Sequence, residues 1–202
     1  MKNQFLSGLL LLLLGFVNIY AQEHGKIGIR VAGGISSLHD DVYKFSPAPA
    51  YSLGLVLGEK NKLFCMSGEI AFDRKGGYSQ KSKNTYIDYL SVYLLPQFKL
   101  KPLYRHSIIA GVYCSVVLKQ SIENDFTYMP IGTSPITGYF SVFDTGLTTS
   151  YKYQFKTTAK CNFQLDARFN YGFYNINPST FGQSDWTHNM VGQLGLICMF
   201  NR

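Results

Sequence analysis

Two of the four histidines in the chain stand close to aspartates, and this arrangement could carry out chemistry. His39 precedes Asp40 and Asp41, and His188 follows Asp185 by three residues. An imidazole beside a carboxylate can act as a general base for a hydrolase or an acyltransferase, and the same groups can bind a metal ion. Neighbouring His and Asp in polar segments are usually solvated, however, and no metal-ligand spacing is present. We therefore predict no catalytic residue, no metal site and no cofactor.

A second group of charged residues falls at alternate positions of apolar segments. In Cys161–Ile176 the odd positions up to Phe173 are all apolar, whereas the even positions are nearly all polar and include Asp166 and Arg168. A strand places two such sets on opposite faces, whereas a helix scatters them around its circumference. The segment exceeds the usual strand length of about 5–6 residues, but it suits a tilted strand that crosses a bilayer, which needs about 9–11.

The same alternation recurs along the chain and predicts eight strands. Their predicted bounds are Lys26–Ser36, Ala50–Leu57, Leu63–Arg74, Thr85–Lys101, His106–Leu118, Phe140–Lys156, Cys161–Ile176 and Thr187–Phe200. The connections after the first, third, fifth and seventh strands are predicted to be long, including loops over Ser37–Ala48 and Lys75–Asn84, and the other three are predicted to be short. Outer-membrane barrels have short periplasmic turns and longer outside loops, whereas a soluble sandwich has no reason to sort its loops in this way.

We therefore predict an all-β fold, an eight-stranded antiparallel up-and-down transmembrane β-barrel. An even number of strands puts both termini on the periplasmic side. Outward aromatic residues should then form two girdles, one near the short turns and one near the long loops. The first group contains Phe64, Phe98, Phe155, Phe163 and Phe200, and the second contains Tyr51, Phe72, Tyr86, Phe143, Tyr171 and Phe173. A soluble β-sandwich is the alternative.

The composition and the N-terminus agree with an exported membrane protein. Only 15% of the residues are charged, whereas about 25% is usual in a soluble domain. A basic start at Lys2, an apolar run over Phe5–Val17 and a processing site after Ala21 are typical of a secretory signal peptide. We predict a signal peptide at residues 1–21, an outer-membrane β-barrel domain at residues 22–202 and a location in the outer membrane of a Gram-negative cell.

Eight inward positions of the predicted strands carry charge, four positive and four negative. They are Arg30, Glu69, Asp73, Lys99, Asp144, Lys152, Asp166 and Arg168. An eight-stranded barrel is just wide enough for its own side chains to fill it, and buried charges require partners. We predict a structural charge network that fills the lumen, and a polar conduit for small solutes is the alternative.

Basic residues gather near the predicted short turns, among them Lys60, Lys62, Lys101 and Lys160. They suit the anionic headgroups of outer-membrane lipid, and a periplasmic protein with an acidic surface is a second possible partner. No basic patch with interleaved aromatic residues indicates nucleic acid, so we predict no nucleic-acid partner. The predicted function is that of a small non-enzymatic barrel with a structural or interaction role through its extracellular loops.

Three segments resemble the PorT-like outer-membrane β-barrel family, and the likeness extends over Lys26–Phe200. These segments are Glu69–Gly76, Tyr89–Pro96 with Lys99 after it, and Ala167–Ile176. The end of the chain departs from the pattern of such barrels, which often finish on an aromatic residue, because Asn201 and Arg202 follow Phe200. The resemblance implies an outer-membrane location. It implies no single activity, but its best-known member is tied to protein secretion, so a component of a secretion machinery is an alternative function.

Overall fold

A computed structural model describes residues 26–39, 45–58, 63–79, 85–100, 105–122, 143–173 and 187–200. The predicted signal peptide, Asp40, Asp41 and Asp185 lie outside these residues. The barrel domain predicted for residues 22–202 is therefore described in its part from Lys26 to Phe200.

Eight antiparallel strands form a closed barrel in which each strand pairs with its neighbours along the chain. The strands are β1 Lys26–His39, β2 Phe45–Gly58, β3 Phe64–Ser79, β4 Thr85–Lys99, β5 His106–Ile122, β6 Phe143–Thr157, β7 Cys161–Gly172 and β8 His188–Phe200. The ring closes where β1 pairs with β8, in a ladder from Ile27 opposite Phe200 to His39 opposite His188. This confirms the predicted all-β, eight-stranded antiparallel up-and-down barrel. Within the described residues, no helix is both long and apolar enough to cross a membrane.

The two ends of the barrel differ in their connections. At one end, which we call the turn end, β1 begins, β8 ends, and the chain turns from β2 to β3, from β4 to β5 and from β6 to β7. At the other end, the loop end, the remaining four connections include the two longest, at residues 123–142 and 173–187.

Each strand presents an apolar face outward and a mostly polar face to the lumen, as the alternation predicts. On β1, Val31 and Ile35 are exposed, whereas Arg30, just before Val31, and Ser36, just after Ile35, are buried. The wall is most exposed in the middle of β8, where Leu194 keeps 73% of its surface accessible. A wall of exposed aliphatic side chains around a charged interior reverses the arrangement of a soluble domain.

Outward aromatic residues group at both ends of the wall. At the turn end the rings of Phe64 and Phe98 lie 4.8 Å apart between centroids. At the loop end Tyr78 and Tyr171 are exposed. The rings of Tyr51 and Phe72 lie 6.2 Å apart near the middle of β2 and β3, so these two residues are not part of the predicted loop-end group. Outward aromatic residues therefore lie at both ends of the strands, and one aromatic pair lies between them.

The predicted loops over Ser37–Ala48 and Lys75–Asn84 are wrong for at least half of their length. β1 continues to His39, β2 begins at Phe45, and β3 continues to Ser79, so each of these two connections has only five residues between its strands. The connections from β2 to β3 and from β4 to β5 are no shorter. The predicted contrast in length therefore holds only for the second half of the chain.

Two prolines and a glycine explain why the predicted ends of these strands differ from the observed ones. Pro47 and Pro49 carry no backbone N–H, and the register of β2 against β3 shifts between Pro47 and Tyr51. The backbone of β3 is instead held from β1 at this level, because Gly76 N donates to Ser36 Oγ at 2.7 Å and Ser36 Oγ donates to Gly76 O at 2.9 Å. A polar, glycine-containing segment that resembles a loop is therefore hydrogen-bonded strand.

Candidate functional site

The middle of the lumen holds a closed cluster of two arginines and two carboxylates. Arg30 Nε lies 2.6 Å from Asp166 Oδ2, and Arg168 Nη2 lies 2.7 Å from Glu69 Oε2. Longer contacts complete the cluster, with Arg30 Nη1 at 3.7 Å from Glu69 Oε1 and Arg168 Nη2 at 3.3 Å from Asp166 Oδ2. All four side chains are fully buried, so each charge is compensated by two partners of opposite sign.

Neutral side chains contribute further hydrogen bonds to this central cluster, although Arg168 Nε and Nη1 and Glu69 Oε1 have no hydrogen-bond partner among the described residues. Arg30 donates from Nη1 to Ser52 Oγ at 3.1 Å and from Nη2 to Gln193 Oε1 at 3.2 Å. Ser150 Oγ donates to the second oxygen of Asp166. The backbone makes room for the cluster at Gly54, where a Cβ atom would come within 2.8 Å of the Glu69 carboxylate. Hydroxyl and amide side chains therefore hydrogen-bond to the charged groups, and a glycine leaves space for them.

A third buried cation borders the central cluster on the side of the turn end. Lys152 is 3% exposed and lies directly opposite Asp166 in the β6–β7 register, on the same inward face. The Asp166 carboxylate already accepts hydrogen bonds from Arg30 and Ser150. One carboxylate therefore faces three cations: Arg30, Lys152 and Arg168.

Nearer the loop end, Lys75 and Asp144 form a second buried ion pair, with 2.9 Å between Nζ and Oδ2. The ammonium of Lys75 lies over the ring of Tyr89 at 4.7 Å and over the ring of Tyr113 at 4.3 Å. Asn189 Nδ2 donates to Asp144 Oδ2 at 3.0 Å. The lysine therefore has a carboxylate and two aromatic faces as partners, an arrangement that stabilises a desolvated cation.

Tyrosines link the two ion clusters. Tyr93 OH donates to Asp73 Oδ2 at 2.6 Å, and the Arg168 guanidinium lies 5.0 Å from the centre of the Tyr93 ring. The rings of Tyr93 and Tyr113 lie 5.7 Å apart. Polar and aromatic contacts therefore run without interruption from the central cluster to Lys75.

Several of these contacts cross the full width of the bore. In a ring of eight strands, β3 faces β7 and β4 faces β8. The Arg168–Glu69 pair joins β7 to β3, and the hydrogen bond of 3.1 Å from Asn189 Nδ2 to Tyr89 OH joins β8 to β4. Side chains therefore obstruct the lumen at more than one level between its two ends.

The predicted network residues occupy three regions of the lumen. The first region is the central cluster, which contains Arg30, Glu69, Asp166 and Arg168 with Lys152 beside it, and the others lie elsewhere. Asp73 and Asp144 lie nearer the loop end, with Tyr93 and Lys75 as their respective partners. Lys99 lies at the turn end, where it is only partly buried, so it is not a member of the central cluster.

Lys75 is a buried lumen charge that is absent from the predicted network, because the sequence predicts a loop after Arg74. It stands two residues after Asp73 on β3, so its side chain lies on the same lumen-facing side of the strand. Continuing the alternation past Arg74 would have found it. With Lys75 in place of Lys99, the buried lumen still holds four cations and four carboxylates.

The histidines that stand beside carboxylates in the sequence form no reaction site among the described residues. His39 and His188 lie opposite each other at the loop end of the β1–β8 ladder, and the ring of His188 stacks on Tyr171 at 5.9 Å. In the described part of the chain, no group of three or more His, Cys, Asp or Glu side chains is placed to hold a metal ion. The buried charges are engaged with one another and with neutral donors.

Comparison with known proteins shows similarity in fold alone. No protein-family model matches the sequence, and no curated protein matches it. Among solved structures, Neisserial surface protein A is 12% identical with a TM-score of 0.50, and the match covers 85% of this chain and 95% of that one. Ail, the attachment invasion locus protein of Yersinia pestis, in complex with the heparin analogue sucrose octasulfate, is 19% identical with a TM-score of 0.49, covering 88% and 99% of the two chains. The outer membrane protein OprG from Pseudomonas aeruginosa is 14% identical with a TM-score of 0.46, covering 90% and 99%.

Proposed function

We propose that this protein is a small non-enzymatic barrel of the Gram-negative outer membrane, with a lumen closed by its own side chains and both termini in the periplasm. Its role would be structural, or an interaction through the connections at the loop end. The observation that carries the proposal is the combination of an exposed aliphatic wall with a bore crossed by ion pairs. Such a wall requires a hydrocarbon environment, and such a bore leaves no continuous path for solutes.

The two ends of the wall support the membrane assignment. Aromatic side chains at the level of the headgroups flank the apolar band in outer-membrane barrels. The outward ion pair between Arg74 and Asp88, with Nε and Oδ1 2.6 Å apart, lies near the loop end and would mark the headgroup level there. The sequence resemblance to PorT-like barrels leaves a part in protein secretion as an alternative that rests on that resemblance alone.

The lipid-facing wall is tested by Leu194→Arg. Leu194 lies at the middle of β8 and is 73% exposed, so an arginine there would enter the bilayer midplane. We expect the free energy of unfolding to fall by about 2–4 kcal/mol. Leu118→Arg is the control, because Leu118 is also exposed but lies beside Asp88 and Lys119, near the loop end, where the cost is about 0–1 kcal/mol.

The measurement is equilibrium unfolding in urea for protein folded into phospholipid vesicles, followed by gel mobility and circular dichroism. Equal losses of unfolding free energy at the two positions would mean that Leu194 does not lie deeper in a bilayer than Leu118.

The closed lumen is tested by conductance. Purified protein inserted into a planar bilayer is expected to show no steady, reproducible single-channel steps, because Arg168 and Glu69 meet across the bore at 2.7 Å. Arg168→Ala is expected to lower thermal stability more than it raises ion flux, since it leaves Glu69 buried with fewer partners. Stable, ion-selective steps from the unaltered protein would overturn the closed-lumen proposal in favour of a small-solute channel.

A further inference from the structure

The turn end of the lumen opens into a polar cavity that we call the vestibule. It has a volume of about 50 Å³, and its walls contain inward residues from all eight strands. One water needs about 10–15 Å³ of such space, so the vestibule has room for a few water-sized groups. Lys152 stands at its inner side, between the vestibule and the central ion cluster.

The charge of the vestibule has one sign. Its lining contains Lys26, Lys99, Arg105 and Lys152, and there is no carboxylate among these lining residues, all of which belong to the described part of the chain. The buried lumen, with Lys152 included, holds four cations and four carboxylates. The vestibule lining therefore contributes only cationic and neutral side chains to this end of the lumen. A cleft lined by one sign of charge concentrates its field and attracts counter-ions.

Lys152 is a buried cation of the vestibule, in addition to the cations Lys99 and Arg105 at its mouth. Lys152 lies opposite Asp166 in the β6–β7 register, and the oxygens of Asp166 already contact Arg30 Nε at 2.6 Å, Ser150 and Arg168. A desolvated ammonium is stabilised by additional acceptors, and the vestibule is the polar space that this residue lines. An anion there would lie between a buried cation and the cations of the mouth.

Neutral donors complete a site of suitable chemistry. The walls contain the amides of Gln97 and Gln164 and the hydroxyls of Ser67 and Ser107. Gln97 Nε2 is oriented by a hydrogen bond of 2.8 Å to Ser107 Oγ. Lysine ammonium groups, an arginine fork and amide N–H groups are the donors that bind the oxygens of phosphate.

We propose that the vestibule is a binding site for a phosphate group, held by Lys152 from the lumen side and by Lys99 and Arg105 from the mouth. The group would be either free inorganic phosphate or the phosphate of a lipid headgroup at this rim, since both present the same tetrahedral oxyanion. The site rests on the cavity and its charges, and it does not depend on whether the lumen conducts.

The test measures binding of inorganic phosphate to the full chain in an uncharged maltoside detergent, by thermal shift and by ³¹P line broadening. Phosphate is expected to raise the melting temperature at an ionic strength where chloride does not. Arg105→Gln removes a cation of the mouth, and Gln164→Glu introduces a repelling carboxylate of nearly the same shape. Each is expected to weaken phosphate binding by about fivefold or more.

Lys119→Gln is the matched control, because it lowers the net charge by the same amount at an exposed position of β5 near the loop end. It is expected to leave phosphate binding unchanged. Equal weakening by Lys119→Gln and the vestibule variants, or equal stabilisation by phosphate and chloride, would overturn the site. If Gln164→Glu fails to fold, phosphate binding is compared between Arg105→Gln and Lys119→Gln.

Nanodiscs distinguish the two sources of the phosphate group. If phosphatidylglycerol in the nanodisc competes with added inorganic phosphate, relative to phosphatidylcholine alone, the headgroup is the ligand. If phosphate binds equally well in both lipids, free phosphate is the ligand, and both results support the site. The absence of saturable phosphate binding in detergent and in both nanodiscs would refute it.

Discussion

Asp166→Asn is expected to lower the free energy of unfolding by about 3–5 kcal/mol, because it removes one of only two carboxylates from the central ion cluster. Arg30 would lose the charge of its partner at 2.6 Å and keep only Glu69 at 3.7 Å, and Arg168 would also keep only Glu69 as a charged partner. Lys152 would lose the carboxylate that it faces across the β6–β7 ladder. Three buried cations would then share a single carboxylate in the middle of the lumen.

Asp88→Asn is the matched control for this substitution. It makes the same chemical change in an ion pair whose arginine, Arg74, keeps 34% of its side chain exposed. Water can solvate that arginine after the change, so a loss of about 1 kcal/mol is expected. The measurement is urea unfolding in phospholipid vesicles for both variants under one set of conditions.

A second substitution separates charge from packing at Asp166. Lys152→Met removes one of the three cations while it keeps much of the aliphatic volume. In the Asp166→Asn background it is expected to restore part of the lost stability, giving a coupling energy of about 1 kcal/mol or more. Purely additive losses, or equal effects of Asp166→Asn and Asp88→Asn, would show that the central cluster does not depend on charge balance.

The faces of the strands could be predicted because the period of a strand is two and does not depend on distant contacts. Arg30, Asp166 and Arg168 are inward for that reason alone, and the structure places them so. The closed ring could be predicted because eight consecutive antiparallel strands leave no edge unpaired once the first pairs with the last. These features are local or general, and a single sequence contains them.

The partners inside the lumen could not be predicted in the same way. Whether Arg168 meets Glu69 or Asp73 depends on the stagger of the strands and on the height of each residue in the bore, which appear only once the ring has closed. The observed ends of β1, β2 and β3 differ from the predicted ones for a related reason. Gly76 and Pro47 resemble loop residues, yet Ser36 supplies the hydrogen bonds that the irregular β2–β3 ladder lacks. Lys75 was overlooked as a consequence.

Lys75→Met is expected to lower the free energy of unfolding by about 3–5 kcal/mol, because it leaves Asp144 charged and fully buried. Asp144 would retain Asn189 as a donor at 3.0 Å and the weaker contact of 3.3 Å with the hydroxyl of Tyr113. Neither donor carries a charge. Lys119→Met makes the same side-chain change at an exposed position and is expected to cost less than about 1 kcal/mol.

The double variant Lys75→Met with Asp144→Asn tests why Lys75→Met alone is expected to be unstable. The amide at position 144 can still accept from Asn189 but brings no charge into the bore. If the uncompensated carboxylate causes the loss, the double variant should recover most of the stability of the unaltered protein, since replacing both members of a buried ion pair is often neutral. If it is as unstable as the sum of the two single variants, the packing of the lysine between Tyr89 and Tyr113 holds this part of the lumen together, and the ion pair contributes little.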